Sequence, residues 1–162
     1  MFSNVATLNS RHQKIVARDF YHAHHALFSR YGQSYRHESR QLFEAGEEVP
    51  VPDYEQSLGE REREIAIFDL LSHSGQRPIV WLSPAAAGPA PEGISSTGSP
   101  VMNLPWTHVG APALTIPMTR VEETGLPLGI QITAPRGRDD LLFTAARAIM
   151  ALPARMNSGS CQ

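Results

Sequence analysis

The spacing of apolar residues changes near residue 76, and this change limits the folds that the chain can adopt. Before it, apolar residues recur at intervals of three and four, which is typical of amphipathic helices. After it come most of the thirteen prolines and several short β-branched runs, which are typical of strands joined by loops. The order of helices, strand, loop, two strands and helix predicts an α/β fold.

Residues 1–76 are expected to form the mainly helical first segment of this fold. A first helix is predicted from Arg11 to Tyr31, with Gly32 just after its end. One stripe along this helix has the spacing of a buried face, which comprises Val16, Phe20, Ala23, Leu27 and Tyr31. A second helix is predicted from about residue 35 to residue 45, ending at Gly46.

The connection to the third helix contains two prolines. EEVPVP is expected to be extended, because proline disfavours helix in the residue before it. Asp53 with Gln56 three residues later resembles a capping box and predicts the start of the third helix. The charge run EREREI on this helix predicts a solvated face with local ion pairs.

Residues 77–152 are expected to complete the same domain, and residues 153–162 to form a flexible tail. Strands are predicted at 79–83, 113–118 and 127–134, with a long loop at 84–100 and a helix from about Asp139 to Pro153. Gly129 inside a strand predicts a close approach by another part of the chain. The apolar strands resemble central strands of a larger sheet, so we expect self-association through uncovered faces and edges.

Composition excludes several functional classes. Fourteen basic and sixteen acidic residues give a net charge of −2, so nucleic acid is not an expected partner. Cys161 is the only cysteine, so we expect no disulfide framework, no metal site and a reducing cytoplasmic location. No apolar run approaches the roughly 20 residues of a membrane span, and the start of the chain does not resemble a signal peptide.

The most specific stretch of the sequence is residues 100–146. It resembles the amidase-signature family, in which a Pro-Trp-Thr segment precedes a Gly-Leu-Pro strand and a helix that opens with acidic residues. The matching positions are Asn103, Pro105, Trp106, Thr107, Gly110, Pro112, Ala113, Thr115 and Pro117, then Gly125, Leu126, Pro127, Gly129 and Gln131, then Asp139, Asp140, Leu141 and Leu142. The resemblance implies the C-terminal part of a mixed-sheet, helix-flanked fold that hydrolyses carboxylic amides without a cofactor.

The residues that perform the family's chemistry are not found in this sequence. The family uses a Ser nucleophile, a bridging Ser in a cis peptide bond and a neutral Lys. Lys14 is the only lysine, and no Gly-Gly-Ser-Ser segment follows it. We therefore assign no catalytic residue and expect the isolated chain to be inactive. ISSTGS at 94–99 is interpreted as a flexible loop instead of a nucleophile segment.

The resemblance implies that the loop leading to the Pro-Trp-Thr segment borders the acyl-binding cleft. The substrate-pocket candidates are Thr97, Met102, Asn103 and Trp106. Loop fastening is the alternative role for Trp106 and Asn103. His108 is a candidate cleft residue, and Asp19, His22 and His25 are candidate metal ligands, but neither set has the partners that such sites require.

Three functional hypotheses remain open from the sequence. The first is the C-terminal portion of an amidase, whose partners would be an amide substrate and the missing N-terminal region. The second is a non-catalytic subunit or truncated-gene remnant that completes an amidase on another chain. The third is an autonomous module that binds a small ligand.

Overall fold

The computed structural model describes residues 4–72 and 79–152. The chain divides into two compact units, Met1–Leu71 and Ser72–Gln162. The first unit contains the helices α1 (Val5–Tyr31), α2 (His37–Glu48) and α3 (Val51–Ser72), with a short 3-10 turn at Gly32–Ser34. None of the helices in these described ranges is long and apolar enough to cross a membrane.

Helix α1 begins six residues before its predicted start. Asn4 caps it, because the Asn4 side chain accepts a hydrogen bond of 3.0 Å from the backbone N–H of Thr7. The start was missed because the capping asparagine precedes residues of weak apolar pattern. The predicted end is confirmed, since the helix stops at Tyr31 and Gly32 follows it.

Most of the face of α1 that was predicted to be buried is exposed in the structure. Val16 is 40% exposed, Leu27 is 50% exposed and Tyr31 is 48% exposed, whereas the buried residues of α1 are Leu8, Ile15 and Ala17. The prediction was wrong because α2 and α3 contact α1 on other sides. Phe20 is the exception on this face, because it is partly buried and its ring stacks on His24 with centroids 4.1 Å apart.

The contact between α1 and α2 depends on Gly46. This residue lies inside α2, which continues to Glu48, so the prediction that the helix ends at Gly46 was wrong. A Cβ atom on Gly46 would lie 2.0 Å from the carbonyl oxygen of Ala17. Glycine is needed here for close packing, and the stacked rings of Phe28 and Phe43, 3.8 Å apart, extend the same contact.

Helix α3 begins at Val51, so the predicted capping box at Asp53 was wrong. The extended connection is shorter than predicted and is confirmed at Val49, whose backbone is extended directly before Pro50. Pro52 falls in the first turn of the helix, where its missing N–H costs no hydrogen bond. The Asp53 carboxylate instead accepts a hydrogen bond of 2.8 Å from Lys14 Nζ. The capping box was predicted wrongly because the Asp53 carboxylate binds Lys14 of α1, and the local spacing of residues does not reveal contacts between helices.

The charge run on α3 also contacts α1. Arg11 forms ion pairs with Glu60 and with Glu64, the latter at 2.7 Å. The local ion pairs expected along the run are thus replaced, at these two positions, by pairs between helices. Each of these side chains is about a quarter exposed, so we expect only a modest contribution from each pair.

The second unit is a small sheet with helices, which confirms the predicted α/β class. Its strands are β1 (Trp81–Pro84), β2 (Ala113–Arg120) and β3 (Pro127–Thr133), and its helices are α4 (Leu104–Val109) and α5 (Asp139–Met150). The three strands were predicted, whereas α4 was not. The division near residue 76, Pro153 and the tail at 153–162 lie outside the described residues.

The strand order is β1-β3-β2, and both pairs are antiparallel. Within residues 4–72 and 79–152, only β3 has a neighbour on each side, so the prediction of central strands holds for β3 alone. One face of the sheet packs against α5. Its buried core comprises Ile116, Ile132, Ala134, Leu142 and Ala146.

We predict that Gly46→Ala lowers the free energy of unfolding by about 1–3 kcal/mol or more, because the added methyl group would overlap backbone atoms of α1. Gly59→Ala is the matched control, since Gly59 lies inside α3 with nothing within 4 Å of an added Cβ. This control should be stabilising by about 0.5–1 kcal/mol. Urea unfolding of both variants measures the difference, and equal effects would contradict the close packing of α1 and α2.

Candidate functional site

The two faces of β3 differ in chemical character because side chains alternate along a strand. Ile130 and Ile132 point towards the core, so the residues between them point to the opposite face. On that face Gln131 lies between Ser83 of β1 and Thr115 of β2. The second face of the sheet therefore carries the polar side chains of Gln131, Ser83 and Thr115, and Trp81 lies on the same face opposite Thr133.

A cleft of about 710 Å³ opens on this second face. Its walls are residues 85–91 and 97–99 of the long loop and residues 115, 117 and 127–129 of the β2–β3 hairpin. No lining residue has a titratable side chain, and the side-chain polar groups are the hydroxyls of Thr97, Ser99 and Thr115. This lining can hold a neutral ligand, but it offers no acid or base for proton transfer.

Gly129 lies in the cleft wall, where β3 is closely approached from both sides. An added Cβ would lie 2.6 Å from Thr115 Cγ2, 3.1 Å from the carbonyl oxygen of Ile116 and 3.4 Å from Ala85 Cβ. The Ala85 N–H also donates to the Gly129 carbonyl oxygen at 3.1 Å. The close approach predicted from a glycine in a strand interior is confirmed.

The serines of the 94–99 loop make local turns. Ser96 Oγ accepts a hydrogen bond of 3.1 Å from the N–H of Gly98, and Ser99 Oγ accepts one of 3.3 Å from the N–H of Val101. Such turns are a common structural use of serine hydroxyls. This geometry agrees with the interpretation of the segment as an ordinary loop.

The four substrate-pocket candidates are not all in the same place. Thr97 lines the cleft. Met102 and Asn103 precede α4, and the Asn103 side chain does not cap this helix. Trp106 lies on α4 against Trp81 of β1, with ring centroids 6.2 Å apart. The structure thus brings Thr97 to the cleft and leaves the other three outside its lining.

His108 is fully buried in α4 and does not line the cleft. Helix α4 ends at Gly110, whose φ of 69° is in the left-handed region that favours glycine. No helix was predicted at 104–109 because Pro, Trp, Thr and Val are weak helix formers. Packing of Trp106 against Trp81 and the glycine cap instead fix a short helix.

Three buried polar side chains beside the cleft lack hydrogen bonds. Gln131 is 1% exposed, and neither atom of its amide has a partner within residues 4–72 and 79–152. Ser83 Oγ and Thr133 Oγ1 are also buried and have no hydrogen-bond partner within the described residues. A buried polar group without a partner costs about 1–3 kcal/mol, and most native structures contain few of them. These buried atoms belong to the polar face of the sheet, and no residue of the described chain forms a hydrogen bond with them.

The charged residues considered from the sequence lie in the first unit. Lys14 Nζ is held in an ion pair with Asp53 at 2.8 Å. Asp19 accepts a hydrogen bond of 2.6 Å from Tyr54, and this bond raises the pKa of the Tyr54 hydroxyl. Over 4–72 and 79–152, no three His, Cys, Asp or Glu side chains are grouped as a metal site would require.

The fold of the chain matches part of known hydrolase structures. One is described as an amidase, with a TM-score of 0.75, 22% identity, and coverage of 91% of this chain and 36% of that chain. Another is 6-aminohexanoate cyclic dimer hydrolase in complex with substrate, with a TM-score of 0.68, 17% identity, and coverage of 91% of this chain and 35% of that one. The predicted fold, as part of the amidase fold, is confirmed.

A further match comes from a vestigial protein complex that reveals the evolutionary origins of an s-triazine catabolic enzyme. Its TM-score is 0.75 at 21% identity, and the match covers 93% of this chain and 35% of that chain. This chain therefore spans little more than a third of the structures that it matches. No protein-family model matches the sequence.

Sequence reasoning missed the cleft residues on the sheet. Thr115 was noted only as a position of the resemblance, and Ala85 was not singled out. The available signal was the alternation in TIPM and LGIQIT, which places threonine, glycine and glutamine on the face opposite the isoleucines. The pairing of β1 with β3 could not be read from that alternation, because it joins residues far apart in sequence.

We predict that Gly129→Val lowers the free energy of unfolding by about 1–3 kcal/mol, since its side chain would overlap Thr115 and backbone of β2. Gly88→Ala provides a control in the same cleft, because nothing lies within 4 Å of an added Cβ there. The control should change stability by less than about 0.5 kcal/mol. A change of that small size for Gly129→Val in thermal or chemical unfolding would show that Gly129 has no packing role.

Proposed function

We propose that this chain is the C-terminal portion of an amidase of the Ser–Ser–Lys type, and that it contributes part of the acyl-binding cleft. In this proposal the nucleophile, the bridging serine and the lysine come from another stretch of polypeptide. The substrate is a carboxylic amide, which is hydrolysed to an acid and an amine or ammonia. No metal or organic cofactor takes part in the proposed reaction.

The observation that carries this proposal is the chemistry of the cleft in a fold that matches amidases. Its walls are neutral, with small side chains and three hydroxyl groups, so they suit an uncharged amide and its acyl chain. Thr97 contacts the substrate in this proposal. Met102, Asn103 and Trp106 border the pocket in the assembled enzyme, where α4 supports the loop.

In this proposal the groups that react with the substrate belong to residues that this chain does not provide. A serine hydroxyl is a weak nucleophile until an adjacent base removes its proton. Attack on the amide carbonyl forms a C–O bond and an oxyanion, and loss of the protonated amine leaves an acyl-enzyme that water hydrolyses. The cleft lining lacks a base, so in this proposal its residues bind and orient the acyl group.

A non-catalytic partner subunit is the second candidate. The chain spans 36% of the matched amidase, and another match belongs to a vestigial protein complex. The partial coverage fits either candidate, and the match to a vestigial protein complex supports a chain that completes a hydrolase carried by another polypeptide. Stable association with a chain bearing the Ser and Lys, and turnover by the pair alone, would distinguish this candidate from a portion of one long enzyme.

We predict that the chain binds p-nitroacetanilide weakly through its cleft. Thr97→Trp should weaken binding at least about tenfold, because the indole would occupy space beside residues 85–91. Thr119→Trp is the matched control, since Thr119 lies on β2 outside the lining of this cleft. Ligand-observed NMR titrations give the affinities, and equal binding by all three proteins would exclude the cleft as the amide site.

We also predict that the chain alone does not release p-nitroaniline from the same anilide above background. Lys14→Ala and the double variant Ser95→Ala/Ser96→Ala should behave like wild type, because none of these residues is placed beside a base in the cleft. Absorbance at the p-nitroaniline maximum measures turnover. Activity that either variant abolishes would mean that the chain has its own catalytic machinery.

A further inference from the structure

Ser99 lies at the end of the long loop, where local hydrogen bonds fix its position. The carbonyl oxygen of Pro100, the next residue, accepts hydrogen bonds from the N–H groups of Asn103 at 2.8 Å and of Leu104 at 3.0 Å. Ser99 Oγ itself accepts a hydrogen bond of 3.3 Å from the N–H of Val101. These bonds join Ser99 to the start of α4, so its side chain is held in place in the wall of the cleft.

The backbone directly before Ser99 adopts a left-handed conformation at Gly98. The φ of Gly98 is 86°, in the region that favours glycine. A Cβ atom added there would lie 3.6 Å from Pro91 Cδ, so residues 97–99 pass close to the first segment of the loop. The two loop segments of the cleft wall, 85–91 and 97–99, therefore lie side by side at this point.

The Ser99 hydroxyl can donate a hydrogen bond into the cleft. Its oxygen accepts the bond from Val101, and a serine hydroxyl that accepts one hydrogen bond still has its own proton to donate. The described lining has no titratable side chain, and most of it consists of alanine, glycine and proline. The ligand atom that suits Ser99 best is thus a neutral acceptor, such as a carbonyl oxygen.

We propose that Ser99 determines acyl specificity by donating a hydrogen bond to a second carbonyl group, which the acyl part of the substrate carries. This rests on the proposed amidase function, in which the acyl part lies in this cleft. At about 710 Å³ the cleft is within the usual range of small-molecule sites, about 300–1,000 Å³, so it can hold an acyl group longer than acetyl. A purely alkyl acyl group would leave the Ser99 proton without an acceptor, which lowers affinity.

Ser96 provides a comparison within the same loop. Its Oγ accepts a hydrogen bond of 3.1 Å from the N–H of Gly98, two residues on, just as Ser99 Oγ accepts one from Val101. Ser96 does not line the cleft, whereas Ser99 does. Loss of either hydroxyl removes the same type of turn bond, but only the loss of the Ser99 hydroxyl removes a donor from the cleft.

Two neutral ligands of matched shape test this role in the full chain. They are the p-nitroanilide of succinamic acid, whose acyl part ends in a carboxamide, and that of isocaproic acid, in which an isopropyl group replaces the carboxamide. Ser99→Ala should weaken binding of the first ligand about two- to tenfold, because one net hydrogen bond is lost. It should change binding of the second by less than about twofold.

Two further variants separate the ligand contact from the turn. Ser96→Ala should leave both affinities unchanged, although it removes the same type of turn bond. Ser99→Thr keeps the hydroxyl and should keep the preference for the carboxamide ligand. Ligand-observed NMR titrations measure the affinities, and circular dichroism checks that each variant is folded.

Three outcomes would overturn this inference alone: equal weakening of both ligands by Ser99→Ala, carboxamide binding that Ser99→Ala leaves unchanged, or the same loss in Ser96→Ala as in Ser99→Ala. Each would leave the cleft as an amide site in which the Ser99 hydroxyl has no specific role. Absence of binding by both ligands would instead overturn the proposed amide site, and this inference with it.

Discussion

The alternation of side chains along β3 is the constraint on which the second unit depends. Ile130 and Ile132 point to α5, and Gly129, Gln131 and Thr133 point to the opposite face. A slip of one residue in strand pairing would exchange the two sets. The same register that buries the core therefore also places the glycine and the polar side chains beside the cleft, so stability and binding surface are fixed together.

The first unit depends on a different interaction, the close approach of α2 to α1. Only a residue without a side chain can occupy position 46, and the stacked rings of Phe28 and Phe43 lie on the same contact. The ion pairs between α1 and α3 are partly exposed, so water and salt weaken them. The close packing of α2 on α1 therefore contributes more to holding these two helices together than the exposed ion pairs contribute to the contact of α1 with α3.

The sequence predicted the elements better than their contacts. The strands at 113–118 and 127–134 were predicted correctly because a short run of β-branched residues between two turns favours a strand over a helix. The end of α2 was predicted too early because glycine often follows a helix. At position 46 glycine is instead required by the close approach of Ala17, which is nearly thirty residues away in sequence. Helix α4 was missed because its propensity is poor and its support comes from Trp81 and Gly110.

For the site, the resemblance led to Thr97 but not to the sheet residues. Thr97 lies in the long loop and lines the cleft, so it could be proposed as a cleft residue without knowledge of the strand pairing. Ala85, Thr115 and Gly129 meet only because β1 and β2 both pair with β3. Such pairing is non-local, and local pattern does not determine it.

The amide of Gln131 sets a cost that the second unit must offset internally. It has donors and an acceptor, and neither of its polar atoms has a hydrogen-bond partner in the described chain. Because Gln131 is 1% exposed, water does not reach the amide freely, and an unpaired buried polar group costs about 1–3 kcal/mol. The apolar core on the other face of β3, formed with α5, has to compensate for this cost.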